Sequence, residues 1–367
     1  MKNLLLAALP GFAGAATAQP AVAPEGTAMT ARMRAIPMAK LVESPDAYTP
    51  TETVAGERGR AIPVGTGGVS ADALAGAQSY ADAQNSFALL VAKDGKLVHA
   101  QYAPAFTPAS RFATASMHKA VLALACKTAI ARGKIALADP LAKHLPEFAG
   151  KPLWRGHDRT VAADDQRGGV AACDAGQPAI AGDAADVRRR QSRGGNPCRG
   201  DDPARHRVAD QNVSSQLAGL ALMAALGKRY AGFLSRTLWA PMEAGEAQLW
   251  LDLYRADGNP HYFCCLQATA TDWLRVGELV RGGKVQGKQV VAADWVRTVT
   301  APSPLNANFG MNFWRGSPHA PLRSYGKGVP LKVPAARPLA RDDLVFIDGA
   351  DGQRVYVVPS TGVTIVR

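Results

Sequence analysis

Two apolar, β-rich runs, Phe87-Ala-Leu-Leu-Val-Ala92 and Lys96-Leu-Val-His-Ala-Gln-Tyr102, flank Lys93-Asp94-Gly95. An Asp-Gly pair tolerates the positive φ of a tight turn, so the pattern predicts a β-hairpin. Ser70 to Gln84 reads as a helix with Ser70 as N-cap. A long apolar-periodic stretch begins near Ser116, runs to about Ala131 and stops at Gly133. Helical patterns return at Val213–Leu226, Arg229–Trp239, Thr271–Val280, with Thr271 as its expected N-cap, and from Ala293 to Val296. The chain closes on strand patterns at Leu344–Ile347, Arg354–Val358 and Gly362–Val366. A hairpin, many helices and a final meander predict an α+β fold. Both chain ends would share one antiparallel sheet flanked by helices, with a helical subdomain between them.

Composition changes this picture in three places. Residues 1–18 read as a secretory signal: Lys2, an apolar Leu4–Ala13 run and a small-residue Ala16-Thr17-Ala18 cleavage site before Gln19. Export, to a periplasm in a Gram-negative source, is the expectation. Residues 19–68 are rich in Pro, Gly, Ala and Thr and read as a loop-rich lead-in to a main domain over 69–367. Residues 154–209 interrupt that domain. They contain no Leu, Phe or Tyr and are dense in Arg, Asp, Gly and Ala, too poor in apolar area to fold alone. An arm for an acidic partner, a disordered insertion, or a stretch read in a lost coding frame would each have this composition. The last reading also accounts for a motif residue missing near position 210, described below.

The 367-residue chain is 47% hydrophobic and 20% charged, as a globular protein with a substantial core is. Its net charge of +12 is spread out, without a long basic block or interleaved aromatics. We therefore expect a solvated basic surface and no nucleic-acid partner. No run is long enough to predict a transmembrane helix. The five cysteines are Cys126, Cys173, Cys198, Cys264 and Cys265. Adjacency argues against pairing Cys264 with Cys265, and Cys126 reads as a small buried hydrophobe. No spacing suggests a metal site, so no cofactor or metal is expected. His118 is expected to face outward or pack locally, and Lys143 and His144 to lie at the surface. Trp239, Trp273 and Trp295 read as core, and Trp314 as a candidate cleft residue.

The candidate chemistry lies in Phe112-Ala-Thr-Ala-Ser116-Met-His-Lys119. Ser116 and Lys119 are three residues apart at the start of a helix, so both side chains share one face. The helix N-terminus favours a developing negative charge. A lysine held out of water beside a serine can give up its proton and serve as a base. The pair is the recipe for a serine nucleophile activated without histidine. No Gly-x-Ser-x-Gly run occurs, which argues against an α/β-hydrolase.

This run, with Gly133-Lys-Ile-Ala-Leu-Ala-Asp139-Pro140 and Leu145-Pro-Glu-Phe148, resembles the serine β-lactamase and penicillin-binding-protein superfamily. It looks most like the branch of class C β-lactamases, DD-peptidases, esterases and 6-aminohexanoate-dimer hydrolases. Phe263-Cys-Cys-Leu-Gln-Ala-Thr-Ala270 and Asp351-Gly-Gln-Arg-Val-Tyr-Val-Val-Pro359 resemble the last of these. The resemblance covers about residues 80–153 and 211–367. It implies Ser116 as the acylated nucleophile, Lys119 as the base, and backbone N–H groups of Ser116 and of an edge strand near Gln353 as the oxyanion hole. It implies a small amide or ester substrate. The family's Tyr-x-Asn motif maps to Asp210-Gln211-Asn212, which keeps Asn212 and has Asp210 in place of the tyrosine. Tyr262 and Tyr325 are the candidates to fill that gap. The third motif maps to Ala350-Asp351-Gly352, which lacks the usual basic residue. That implies a substrate without the carboxylate such a residue would bind.

Overall fold

The structure is a computed structural model. It describes residues 48–57, 61–148, 212–252, 258–303, 306–324, 332–334, 338–339 and 341–367. Residues 1–18, the segment 154–209, Asp210 and Tyr325 therefore lie outside the described residues.

The strands, in chain order, are β1 (Thr51–Val54), β2 (Ala88–Lys93), β3 (Lys96–Tyr102), β4 (Arg111–Ala113), β5 (Ala247–Trp250) and β6 (Leu266–Thr269). Then follow β7 (Lys284–Val285), β8 (Lys288–Gln289), β9 (Trp314–Arg315), β10 (Leu322–Ser324), β11 (Lys332–Pro334), β12 (Val345–Asp348), β13 (Arg354–Val358) and β14 (Val363–Val366). The helices are α1 (Ala71–Ala83), α2 (His118–Ala131), α3 (Leu141–His144), α4 (Asn212–Leu226), α5 (Tyr230–Leu234), α6 (Ala270–Gly282) and α7 (Ala293–Thr300).

The main sheet has the order β3-β2-β14-β13-β12-β9 and is antiparallel throughout. The N-terminal hairpin and the C-terminal meander meet where β14 pairs with β2, Val366 opposite Leu90. The hairpin turns where expected, with Asp94 and Gly95 at φ 51° and 78°.

Helix α6 covers this sheet closely because it carries Gly277. A Cβ there would lie 2.4 Å from Thr364 Cγ2 and 2.8 Å from Val355 Cγ1. Next to it, Glu278 is buried and accepts a 2.7 Å hydrogen bond from Thr364 Oγ1 on the sheet. The N-cap of α6 is Thr269, whose hydroxyl accepts from Asp272 N; the sequence points to Thr271 instead. Strand β6 runs through Thr269, so the helix starts one residue later and the earlier threonine takes the cap.

Within the lead-in, the described residues include a strand that its composition does not predict. β1 pairs with β5, nearly two hundred residues away, in a second sheet of order β1-β5-β6-β4. This sheet ends on β4, which leads directly into the Ser116 turn. Trp239, Trp273 and Trp295 are core residues as expected. Trp314, a candidate cleft residue from the sequence, is buried against Phe309 and Phe346. Among the described residues no single helix is long and apolar enough to cross a membrane.

Candidate active site

Strand β4 delivers the chain into a 3₁₀ turn over Ala115–Met117, and α2 follows at His118. Ser116 is half-buried on this turn, and Lys119 is buried in the first turn of α2, 3% exposed. Both thus sit at the N-terminal end of one helix. Among the described residues the Ser116 hydroxyl makes no hydrogen bond, a state common before substrate arrives. Ala115, immediately before the serine, has φ +45°, a left-handed conformation costly for a residue with a Cβ.

The surrounding structure determines that conformation from both sides. On one side lies the segment 261–266. Cys265 N donates to Ala115 O at 3.0 Å, and Thr114 Oγ1 donates to Leu266 O at 2.9 Å. On the other side lies the end of β12 and the turn after it. Gln353 Nε2 donates to Ala113 O at 3.1 Å. Gly349 passes so close that a Cβ would lie 2.6 Å from Thr114 O and 3.1 Å from Met117 Cγ. The structure thus brings Gln353 to the serine turn. It places Asn212 as the first residue of α4, a helix that packs against α2.

His118 does not face outward. It is fully buried and ties three segments together. Its Nδ1 lies 3.1 Å from His261 O and 3.0 Å from Cys264 O. Carbonyls only accept, so Nδ1 carries the proton. Burial lowers its pKa to about 4, so the ring is neutral and Nε2 accepts from Tyr230 Oη at 3.0 Å. Burial in turn raises the Tyr230 phenol well above its ordinary range, which makes it a hydrogen-bond donor and not a base. Tyr262 stacks edge-on against Tyr230 over Gly219, where a Cβ would meet its ring at 2.0 Å. Tyr262 N donates to Gln216 Oε1 of α4 at 2.9 Å. The segment 261–266 is therefore anchored to α2 and α4 and gripped by the serine turn.

Two further expectations change, and two hold. Cys264 and Cys265 form a disulfide with each other, with Cys265 at φ +72°. His144 is half-buried, with its side chain 7% exposed, and bonds Asp139 Oδ2 at 2.9 Å, while Lys143 is exposed as expected. Cys126 is the buried hydrophobe expected, its thiol pushed up to about 12 by burial.

An apolar cavity lies behind the serine turn, lined among others by Phe87, Phe112, Met117, Trp273, Gln353 and Arg367. Ser116 does not line it, so we do not assign it to the substrate. The structural roles of Gly349 and His118 are not legible in the sequence. A glycine at the end of a strand pattern gives no sign of what it must pass, and a histidine on a helix gives none of what it bonds.

Residues 71–153 match a family model described as Beta-lactamase. The sequence has no match among curated proteins. Its fold is similar to that of a Bacillus anthracis protein provisionally named as a 6-aminohexanoate-dimer hydrolase (TM-score 0.66, 15% identity, 89% of this chain and 86% of that one). It is similar to a β-lactamase from Sulfitobacter sp. EE-36 (TM-score 0.57, 19% identity, 80% and 89%). It also resembles a class C β-lactamase from Rhodobacter sphaeroides (TM-score 0.54, 17% identity, 81% and 93%). Residues 71–153 thus match the Beta-lactamase family model, and the chain shares the α+β fold of these hydrolases.

Proposed function

We propose that the protein is a serine hydrolase that cleaves an amide or ester bond in a small molecule through an acyl-enzyme on Ser116. The observation that carries this reading is the Ser116 turn. It is a left-handed residue and a serine at the head of α2, held between two segments, with Lys119 buried one turn on. Structures spend backbone strain of this kind where position matters.

In this reading Lys119 takes the Ser116 hydroxyl proton as Oγ attacks the carbonyl carbon. Negative charge builds on the carbonyl oxygen, facing the backbone N–H groups of Ser116 and Gln353. Such donors each contribute about 3 kcal/mol to the transition state. Collapse expels an amine or alcohol and leaves Ser116 acylated; water then releases the acid. Asn212 would orient Lys119 or the substrate.

A second reading rests on Asp210, which stands where the family's tyrosine belongs. The chain would then be a relative that acylates slowly or fails to turn over. Tyr230 does not supply the missing group, since its hydroxyl is committed to His118. Incubation with a fluorophosphonate and with a penicillin, read by intact mass, separates the readings. A Ser116 adduct with both acylation and release marks an enzyme. An adduct that accumulates without release marks the impaired relative, and no adduct on folded protein removes the hydrolase reading.

We also propose export, on the strength of the residue 1–18 pattern. Mature protein beginning at Gln19 would support it, and protein retaining Met1 would count against it.

A further inference from the structure

The segment that grips the serine turn holds a second chemical group that hydrolysis does not use. Cys264 and Cys265 are joined by a disulfide and each is 7% exposed. Three residues earlier, His261 is fully buried, and its Nδ1 lies 3.8 Å from Cys264 Sγ. Its other ring nitrogen, Nε2, is buried with no hydrogen-bond partner among the described residues. A buried imidazole normally has its polar atoms satisfied. Here the one polar neighbour of the ring among the described residues is Cys264 Sγ, at Nδ1. Phe263 stacks on it at 5.2 Å and Tyr48 meets it edge-on at 5.9 Å, so its orientation is fixed by apolar packing. Tyr48, Trp250 and Phe263 complete a dry wall around the two sulfurs.

We propose that His261, Cys264 and Cys265, once the disulfide is reduced, form a three-ligand site for a thiophilic d¹⁰ metal ion such as Zn²⁺ or Cd²⁺. The two sulfurs and a ring nitrogen already lie within 4.8 Å of one another. A tetrahedral ion with bonds of about 2.3 Å to sulfur and about 2.0 Å to nitrogen spaces its ligand atoms roughly 3.5–3.8 Å apart. The Cys264 Sγ to His261 Nδ1 separation already meets that spacing. Breaking the S–S bond lets the two sulfurs part to reach it as well. Thiolate with imidazole is the donor set that soft and borderline ions prefer. Three protein ligands leave a fourth position for a water or an exogenous ligand.

The chemistry balances with a small dithiol as reductant. The dithiol gives two electrons and two protons to the Cys264–Cys265 bond and leaves as its own cyclic disulfide, generating two thiols. A divalent ion then replaces the two thiol protons, which pass to solvent, and takes the His261 lone pair. Binding does not depend on whether Ser116 is a nucleophile.

The test uses the full chain. It is reduced with dithiothreitol, desalted without air and titrated with Cd²⁺, following the sulfur-to-cadmium charge-transfer band and the thiols left to react. We expect one Cd²⁺ per chain in reduced protein, protection of two thiols, and neither in oxidised protein. Cys264→Ser should abolish the band, and His261→Ala should keep a thiolate band while weakening binding about 10-fold or more. A reduced wild-type chain that binds no Cd²⁺ would overturn the proposal, whatever the variants do. So would a stoichiometric band that survives in the folded Cys264→Ser, Cys265→Ser double variant, because Cys126, Cys173 or Cys198 would then be its source.

Discussion

The residue that decides whether Ser116 points correctly is the one before it. Ala115 is held at φ +45° by a hydrogen bond from Cys265 N, and the chain has little freedom to relax there. Gly349 sets the other boundary of the turn. Gly349→Ala would place a methyl 2.6 Å from Thr114 O, and the turn must shift to admit it. A displacement near 1 Å can cost about 100-fold in rate. We therefore expect acylation of Ser116 to slow by that order while the circular-dichroism spectrum is unchanged; an unaltered acylation rate would show that Gly349 does not set the serine's position. None of this was legible in the sequence. The Ser116/Lys119 spacing was, because it depends only on helical geometry. The neighbours of Ala115 come from β6 and the β12–β13 turn, far along the chain, and no local pattern announces them.

At the scale of elements, the segment 261–266 is a strut between α2, α4 and the serine turn, and His118 is its main pin. Burial holds His118 at about 4 and His261 at about 3, each below the ordinary histidine value near 6.5. In this window the unfolded chain binds protons that the native chain refuses, so stability falls as pH drops. The loss begins near pH 6.5 and continues until each folded value is passed, at up to about 1.4 kcal/mol per pH unit for each ring. Denaturant midpoints from pH 8 to pH 4 should show this slope. His118→Asn should remove the His118 share of it, and a flat profile would contradict the buried neutral pair. Asp139 adds a separate window. Its hydrogen bond from Lys143 is the largest influence holding the carboxyl at about 2, with further bonds from Ala136 N and His144. This share of stability is present above about pH 4 and is lost only as pH falls through about 2. Asp139→Asn should leave the pH 6.5–4 slope intact and remove the acid limb below it. Gly277→Ala tests the α6 contact. The new Cβ meets Thr364 and Val355, and overpacking of this kind costs about 1–3 kcal/mol, to be read as a lower denaturation midpoint. The hairpin, α1 and α2 were legible because Asp-Gly, Ser70 and Gly133 punctuate them. The α6 cap was not, because two threonines compete for it and strand pairing decides between them.

For the whole molecule, the chain-end patterns were enough to foresee one shared sheet. β-rich runs at both ends of a helix-rich chain have few other places to pair, and β14 does pair with β2. The second sheet was not foreseeable. β1 is four residues long, β5 is equally short, and only their encounter across the fold makes either a strand. That sheet ends on β4, which leads directly into the serine turn. The fold therefore serves one arrangement: a strained serine turn gripped between the 261–266 strut and the end of β12. The most direct test is the intact mass of wild-type, Ser116→Ala and Lys119→Ala proteins after treatment with a fluorophosphonate. One adduct is expected on the wild type, mapped to Ser116, none on Ser116→Ala, and labelling of Lys119→Ala slowed about 100-fold or more. A folded wild type that takes no label, or an adduct that persists on Ser116→Ala, would contradict Ser116 as the nucleophile.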